Sequence, residues 1–275
     1  MTALSPPRQR AATWTRPWRL SGLVFDAKVW AFRARRALRD VAGGPARLAK
    51  AEAPELVHTI AESRTPLWSD DSLAEQAMQV GKVQNLRVAC RALDGLVIPA
   101  GAVFSVWRHL GPPTRARGYV AGRMLREGCM TPATGGGLCQ LSNALYEVAL
   151  QAGCRIVERH PHSRVVPGSV AAAGRDATIA WNYVDLRFAP EQAVRLYARM
   201  DEDSLTVRLL AAQPGAPVSV NSAGLDAAPE LAEARSCGSC AEVDCFRHEG
   251  GGASVAYSAA TEETVSAGAA GISFK

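Results

Sequence analysis

Residues 134–153, TGGGLCQLSNALYEVALQAG, set the frame from which the rest of the chain is read. Gly135, Gly136 and Gly137 permit a backbone turn that residues bearing a Cβ resist. The spacing that follows predicts a helix from about Cys139 to Ala152, ending at Gly153, a favoured left-handed cap. A helix that starts directly after a glycine turn leaves free N–H groups and the positive end of its dipole near Cys139. That setting lowers a thiol pKa, and the thiolate is the nucleophilic form. The same N–H groups suit an oxyanion, with Gln140 as a further donor. A nucleophilic cysteine needs a base, and His160 and His162 lie on the loop after the helix. Asp176 and Asp185, on or beside the next strand, are the acids that can orient the imidazole. The competing reading is packing, since cysteine is among the most buried residue types. Cys90, Cys129 and Cys154 lack the glycine turn and read as ordinary core or surface thiols.

Moving outward, Ser69-Asp70-Asp71 reads as a helix cap, followed by a helix over residues 69–94 with Leu73, Ala77 and Val80 on one face. Gly81 is a candidate interruption of it. Gly95 to Trp107 reads as two short strands joined at Pro99-Ala100-Gly101, and Gly111-Pro112-Pro113 forces a turn. Residues 118–133 continue as strand or loop, and Arg155-Ile156-Val157 precedes the loop His160-Pro161-His162-Ser163. Ala177–Phe188 alternates as a strand would, and Val194–Met200 with Leu205–Leu210 flank Asp201-Glu202-Asp203-Ser204 as a β-hairpin. The fold class expected is α+β, a small, mostly antiparallel sheet packed on the helix that starts at Cys139, with a basic N-terminal helical arm. The expected boundaries are an arm at 1–69, a domain at 70–212, a linker at 213–235, a Cys/His cluster at 236–249 and a low-complexity tail at 250–275.

The net charge of +5 is unevenly placed. Residues 1–50 carry 11 Lys/Arg against Asp26 and Asp40, so the basic character belongs to the arm and the remainder is slightly acidic. In Leu23–Val41, the residues Leu23, Ala27, Trp30, Ala34, Leu38 and Val41 form one stripe, with Lys28, Arg35, Arg36 and Arg39 largely off it. Such a stripe predicts a helix packed on the body; the alternative is an interfacial helix over residues 18–42 touching an anionic membrane. Charges at Asp26, Lys28, Arg33, Arg35 and Arg36 break the apolar runs, which argues against a secretory signal, and no run is long enough to span a bilayer. The location expected is cytoplasmic, peripheral at the inner membrane face. Nucleic acid is not an expected partner, because the arm lacks a stacking platform and the body is acidic. The glycine turn has no following Lys-Ser/Thr and matches no nucleotide-binding fingerprint.

Cys237-x2-Cys240-x4-Cys245-x2-His248 offers three thiolates and an imidazole within twelve residues. Tetrahedral zinc takes such a set as a structural site, and an iron–sulfur cluster is the less favoured occupant. Unliganded reduced thiols are the alternative. No cofactor is expected for the domain that contains Cys139.

The blocks FSVWRHLGPPTRARGYVAGRM, GGGLCQLSNALYE, IVERHPHS and ATIAWNYVDLRF resemble, in order and near spacing, successive blocks of the VanW family. The basic arm resembles the N-terminal region of short members. The family takes its name from glycopeptide-resistance gene clusters. In some larger cell-wall proteins a similar domain is implicated as an L,D-transpeptidase using the cysteine of the glycine-rich block. The resemblance places that cysteine at Cys139 and the family's histidine before a serine at His162, with His160 nearby and Asp185 in the DxRF block. It implies a Cys/His acyl-transfer enzyme, transpeptidase-like or amidase-like, acting on a peptide or cell-wall precursor. The alternatives are a non-catalytic module binding such a peptide, or a metal-stabilised interaction protein.

Overall fold

The computed structural model describes residues 19–68, 73–126, 129–162, 174–214 and 235–236. The Ser69-Asp70-Asp71 cap, the Cys237, Cys240, Cys245 and His248 cluster, the tail and the expected linker from residue 215 to 234 lie outside them. Val29–Cys240 form one compact unit; the other comprises Met1–Lys28 and Ala241–Lys275, of which the described part is the first turns of a helix.

The chain opens with helix α1 (Arg19–Gly43), then strand β1 (His58–Pro66) and helix α2 (Leu73–Leu93). Two-residue strands β2 (Val97–Ile98) and β3 (Phe104–Ser105) precede the short helix α3 (Val106–Leu110). Strands β4 (Ala121–Arg126) and β5 (Cys129–Thr134) lead through the glycine turn into helix α4 (Leu138–Gln151). Then come β6 (Arg155–Glu158), β7 (Arg187–Ala189), β8 (Val194–Met200), β9 (Ser204–Ala211) and β10 (Arg235–Ser236). The expected α+β class stands. The strands form three small sheets, ordered β1-β9-β8-β2, β10-β5-β4 and β3-β7-β6, antiparallel throughout except for β10 on β5.

The principal sheet packs one face on α4 and α2. Strand β9 turns Leu205, Val207, Leu209 and Ala211 inward, and α4 meets them with Leu141, Ala144, Leu145 and Val148, all fully buried. The β8–β9 hairpin forms as its sequence predicts, with Met200 opposite Leu205. Strand β1 has no counterpart among the sequence expectations. Its inward residues are Ala61, Ser63 and Thr65, too small and polar to register as an apolar alternation.

Four local expectations are corrected. In α2 the buried face is Lys82, Val83, Asn85, Leu86, Ala89, Cys90 and Leu93, whereas Val80 is 54% exposed. Gly81 does not interrupt α2; it lets β4 cross closely, since a Cβ there would sit 1.9 Å from the Ala121 carbonyl oxygen. The two short strands expected in Gly95–Trp107 form as β2 and β3 and join different sheets, β2 against β8 and β3 against β7. Ala177–Phe188 is not one strand. It holds a tight turn at Asn182, with φ 58°, closed by a bridge between Ala180 and Val184, and only its end joins β7. The alternating pattern there buries Ala177, Ile179 and Leu186 from irregular backbone.

The arm is the fourth correction. α1 meets the body through its polar side: Arg33 Nε donates to Trp181 O at 3.0 Å, Arg36 pairs bidentately with Glu158, and Asp40 accepts from Arg187 at 2.9 and 3.0 Å. Phe32 stacks on Tyr183. The apolar stripe faces the other way, with Trp30 70%, Leu38 73% and Val41 89% exposed. The charged groups win the docking face because Glu158 and Arg187 are largely buried and take partners from α1.

Candidate functional site

The site is assembled on the first two turns of α4. Gly137 caps that helix at φ 94°, and Leu138 and Cys139 are its first two residues. Their N–H groups precede any intrahelical acceptor. Gln140 N already donates back to Gly137 O at 3.1 Å. The glycines are required by contact as well as conformation. A Cβ on Gly136 would lie 2.2 Å from Gly122 O, and one on Gly137 would lie 2.1 Å from Lys82 Cγ. Asn85, fully buried, clamps the turn from α2: its Nδ2 donates to Gly136 O at 2.9 Å and Val120 O at 3.0 Å, and its Oδ1 accepts from Val120 N at 2.8 Å. Lys82 lies beside this turn, and burial, with Arg123 nearby, holds its amine down to about 8.

Two polar side chains of α4 recruit the segment that carries the acid. Asn143 Oδ1 accepts from Ala177 N at 2.8 Å, and Ser142 Oγ donates to Ala177 O at 2.5 Å. The next residue, Thr178, donates its N–H to His160 O at 2.8 Å, which draws the histidine loop alongside. Asp176 is 1% exposed and accepts at Oδ2 from His162 N at 2.7 Å and from His162 Nδ1 at 2.5 Å. Its Oδ1 accepts from Arg159 Nη2 at 2.8 Å. Arg159 is itself fixed by bonds to Gly174 O and Asp176 O and by the ring of Tyr146, 5.3 Å away.

With Nδ1 on Asp176, the imidazole of His162 is held near enough to Cys139 for each to act on the other's charge. Cys139 Sγ also lies 3.7 Å from Thr178 Oγ1 and 4.0 Å from Ile179 O. The electrostatics follow from these contacts. Burial pushes the Cys139 thiol up, but the hydrogen bond and charge of His162 outweigh it, so the thiol sits below its ordinary value. Burial lowers His162, yet Asp176 and Cys139 together bring it up to about 9. For Asp176, burial acts upward and the bonds and charges of His162 and Arg159 carry it down. The three shifts run in the directions that favour a carboxylate, an imidazolium and a thiolate. By contrast Cys90 and Cys154 are buried without a cation and are pushed up to about 12.

The remaining expected site residues fall elsewhere. His160 is exposed and faces Glu158 at 3.2 Å. Asp185 accepts from Ser105 Oγ at 2.6 Å, Trp107 N at 3.2 Å and Arg187 Nε at 2.9 Å, so it braces α3 and β7 and does not reach His162. Its carboxyl is pushed up, because burial outweighs those donors. The side-chain amide of Gln140 is committed to Thr65 Oγ1 at 3.0 Å and Pro66 O at 2.8 Å, tying α4 to the end of β1. Arg159, Thr178, Ser142, Asn143 and Asn85 complete the site without having been singled out from sequence. Asn85 lies far away in the chain, and the others carry no spacing signal; only their membership of the quoted blocks points to them. Among the described residues no group of three or more His, Cys, Asp or Glu side chains could hold a metal ion. No described helix is long and apolar enough to cross a membrane.

The fold and site together define an α+β protein with a cysteine–histidine–aspartate grouping at a helix start. Residues 81–210 match the family described as "VanW like protein". The chain is 29% identical over 163 residues to the vancomycin B-type resistance protein VanW of Enterococcus faecalis (strain ATCC 700802 / V583), covering 57% of this chain and 58% of that one. It is 32% identical over 127 residues to YoaR, an uncharacterized protein of Bacillus subtilis (strain 168), covering 46% of this chain and 41% of that one. The match thus spans less than two thirds of either curated relative. No solved structure gives a significant match.

Proposed function

We propose that the VanW-like domain is a cysteine-dependent acyl-transfer enzyme that acts on a peptide amide of the cell wall or of a wall precursor. The observation that carries the proposal is the grouping of Cys139, His162 and Asp176, with the Asp176 carboxylate on Nδ1 of an imidazole that acts electrostatically on the thiol. A cysteine paired with a histidine that is oriented by a third group is the arrangement nucleophilic catalysis needs. The substrate class rests on the kinship with the vancomycin-resistance protein VanW.

The Cys139 thiolate attacks the amide carbonyl carbon, and the N–H groups of Leu138 and Cys139 receive the developing oxyanion at the helix start. The C–N bond breaks as His162 gives its Nε2 proton to the departing amine, leaving a thioester on Cys139. An incoming amine or water then attacks the thioester while His162 takes its proton. The products are a new amide or a carboxylic acid, together with the regenerated thiolate and imidazolium. Asp176 stays ionised throughout and holds the imidazole in one tautomer and one orientation.

The test is intact-mass spectrometry of the full chain incubated with wall tetrapeptides and pentapeptides. An acyl adduct on the peptide containing Cys139, absent in Cys139→Ser and accumulating in His162→Ala less than in wild type, is the expected outcome. Peptide binding by calorimetry that survives Cys139→Ser, with no adduct and no turnover, would replace catalysis by a binding module.

A further inference from the structure

The apolar stripe of α1 is turned away from the body, and that orientation is fixed by the strongest contacts the helix makes. Within Val29–Gly43 the inward positions are Val29, Arg33, Arg36 and Asp40, spaced as one face of a helix. Arg36 and Asp40 are held by Glu158 and Arg187, both at most 17% exposed. The helix therefore cannot roll its stripe inward without stranding those charges. What faces outward is Trp30, Ala34, Leu38 and Val41, bordered by Arg35 and Arg39, all exposed. Leu23, Ala27 and Lys28 continue the same stripe and basic border along the sequence.

The charge on that outward surface has one sign. Asp40, the only acid within Val29–Gly43, is turned inward to Arg187. A contiguous apolar strip on a monomer's surface marks a binding face, and an exclusively cationic border selects an anionic partner. A second copy would bring the same cationic border against it. Residues 1–18 carry Arg8, Arg10 and Arg16 and no acid, so the preceding sequence is cationic as well. The strip runs along one helix face, with a tryptophan among its apolar residues and arginines beside them. We infer that α1 lies on the surface of an anionic phospholipid bilayer, its stripe among the acyl-chain boundary and its arginines at the headgroups. The catalytic unit is thereby held against the surface at which lipid-linked substrates are presented, a consequence that rests on the proposed function; the binding itself does not.

The experiment is co-sedimentation of the full chain with phosphatidylcholine vesicles and with vesicles containing about a third phosphatidylglycerol, at low and high salt. Binding to the anionic vesicles alone, weakened by salt, is expected. Arg35→Glu with Arg39→Glu should lower the partition coefficient by on the order of 25-fold or more, from about five-fold per basic residue near the surface. Trp30→Glu with Leu38→Glu should abolish binding at all salts. Unchanged alkylation of Cys139 and unchanged thermal unfolding establish that these variants are folded, as expected for four exposed side chains. Failure of the wild type to bind anionic vesicles overturns the inference. So does a concentration-dependent dimer, seen by light scattering, that both variants disrupt while vesicle binding is absent. Equal binding to neutral vesicles overturns the role given to the arginines. None of these outcomes bears on whether Cys139 forms an acyl adduct.

Discussion

Asp176→Asn is the substitution that most directly probes the site, because it removes one charge and keeps the shape. In the wild type the imidazole of His162 stands at about 9 against an ordinary 6.5. That rise corresponds to on the order of 3 kcal/mol favouring the imidazolium, at ~1.4 kcal/mol per pH unit. Burial opposes it, and Asp176 and Cys139 jointly produce it. If Asp176 contributes about half, its loss weakens the ion pair by ~1.5 kcal/mol, roughly tenfold in population. The asparagine still offers an oxygen to the His162 Nδ1 proton, so geometry is retained while the charge is gone.

The assay is alkylation of Cys139 as a function of pH, read by peptide mass spectrometry so that each cysteine is followed separately. Wild type should label Cys139 well below the pH at which an ordinary thiol ionises. A second inflection should appear near 9, where His162 loses its proton. Cys90 and Cys154, pushed up to about 12, serve as internal controls that stay unlabelled in the folded chain. In Asp176→Asn the upper inflection should fall toward 6.5 and the lower one should rise, with about tenfold slower labelling near neutral pH. In His162→Ala the two inflections should collapse into one, at a higher pH than the wild-type lower step. An Asp176→Asn profile that overlays the wild type would refute the charge assigned to Asp176. A Cys139 that titrates as an ordinary thiol in all three proteins would refute the ion pair itself.

Arg187→Met should destabilise the fold by about 3–5 kcal/mol in urea unfolding, because it strands the buried Asp185 together with Asp40 and Glu158; the pH profile of Cys139 should not move. Gly136→Ala places a Cβ 2.2 Å from the Gly122 backbone, which cannot yield as a flexible side chain would. A loss of about 1–3 kcal/mol and of the low-pH labelling of Cys139 is expected, as the start of α4 shifts. On the acid side, Asp176 has a depressed pKa, so its stabilisation is complete above the ordinary 3.8 and disappears as pH falls through its folded value. Circular dichroism over acid unfolding should therefore show a steeper loss of stability in wild type than in Asp176→Asn.

The place of Cys139 at the start of α4 was legible in sequence because one short stretch holds it. A glycine turn, a helix start and a cysteine within five residues fix Cys139 by local geometry alone. His162 was reachable for the same reason, lying just beyond the next short strand. The assignment of the acid was ambiguous between Asp176 and Asp185, and spacing gave no means to choose. The choice is made by Ser142 and Asn143, which take hold of Ala177 and leave Asp176 beside the imidazole. The β8–β9 hairpin was legible from alternation around an acidic turn. Strand β1 was not, since Ala61 and Ser63 face inward without an apolar signal. α1 was assigned correctly as a helix and its face inversely. Periodicity reports which residues share a side, whereas the side that docks here was decided by Glu158 and Arg187, more than a hundred residues away.

Those two residues also explain why two buried acids of one segment behave oppositely. Asp176 has two cations against it, Arg159 and His162, and its carboxyl is carried down. Asp185 shares Arg187 with Asp40 and Glu158, and Glu158 also takes Arg36. Three carboxylates then face two guanidinium groups, and the most buried of the three, Asp185, is the one pushed up. The excess of acid suits a bracing role, in which Asp185 gathers Ser105 and Trp107 whether or not it carries a proton. The excess of base at Asp176 suits a residue that must remain charged while a proton moves at His162. Glu158 and Arg159 are adjacent at the end of β6, one bonded to α1 and the other to Asp176. One strand end thus serves the arm with one side chain and the acid of the site with the next, through separate ion pairs.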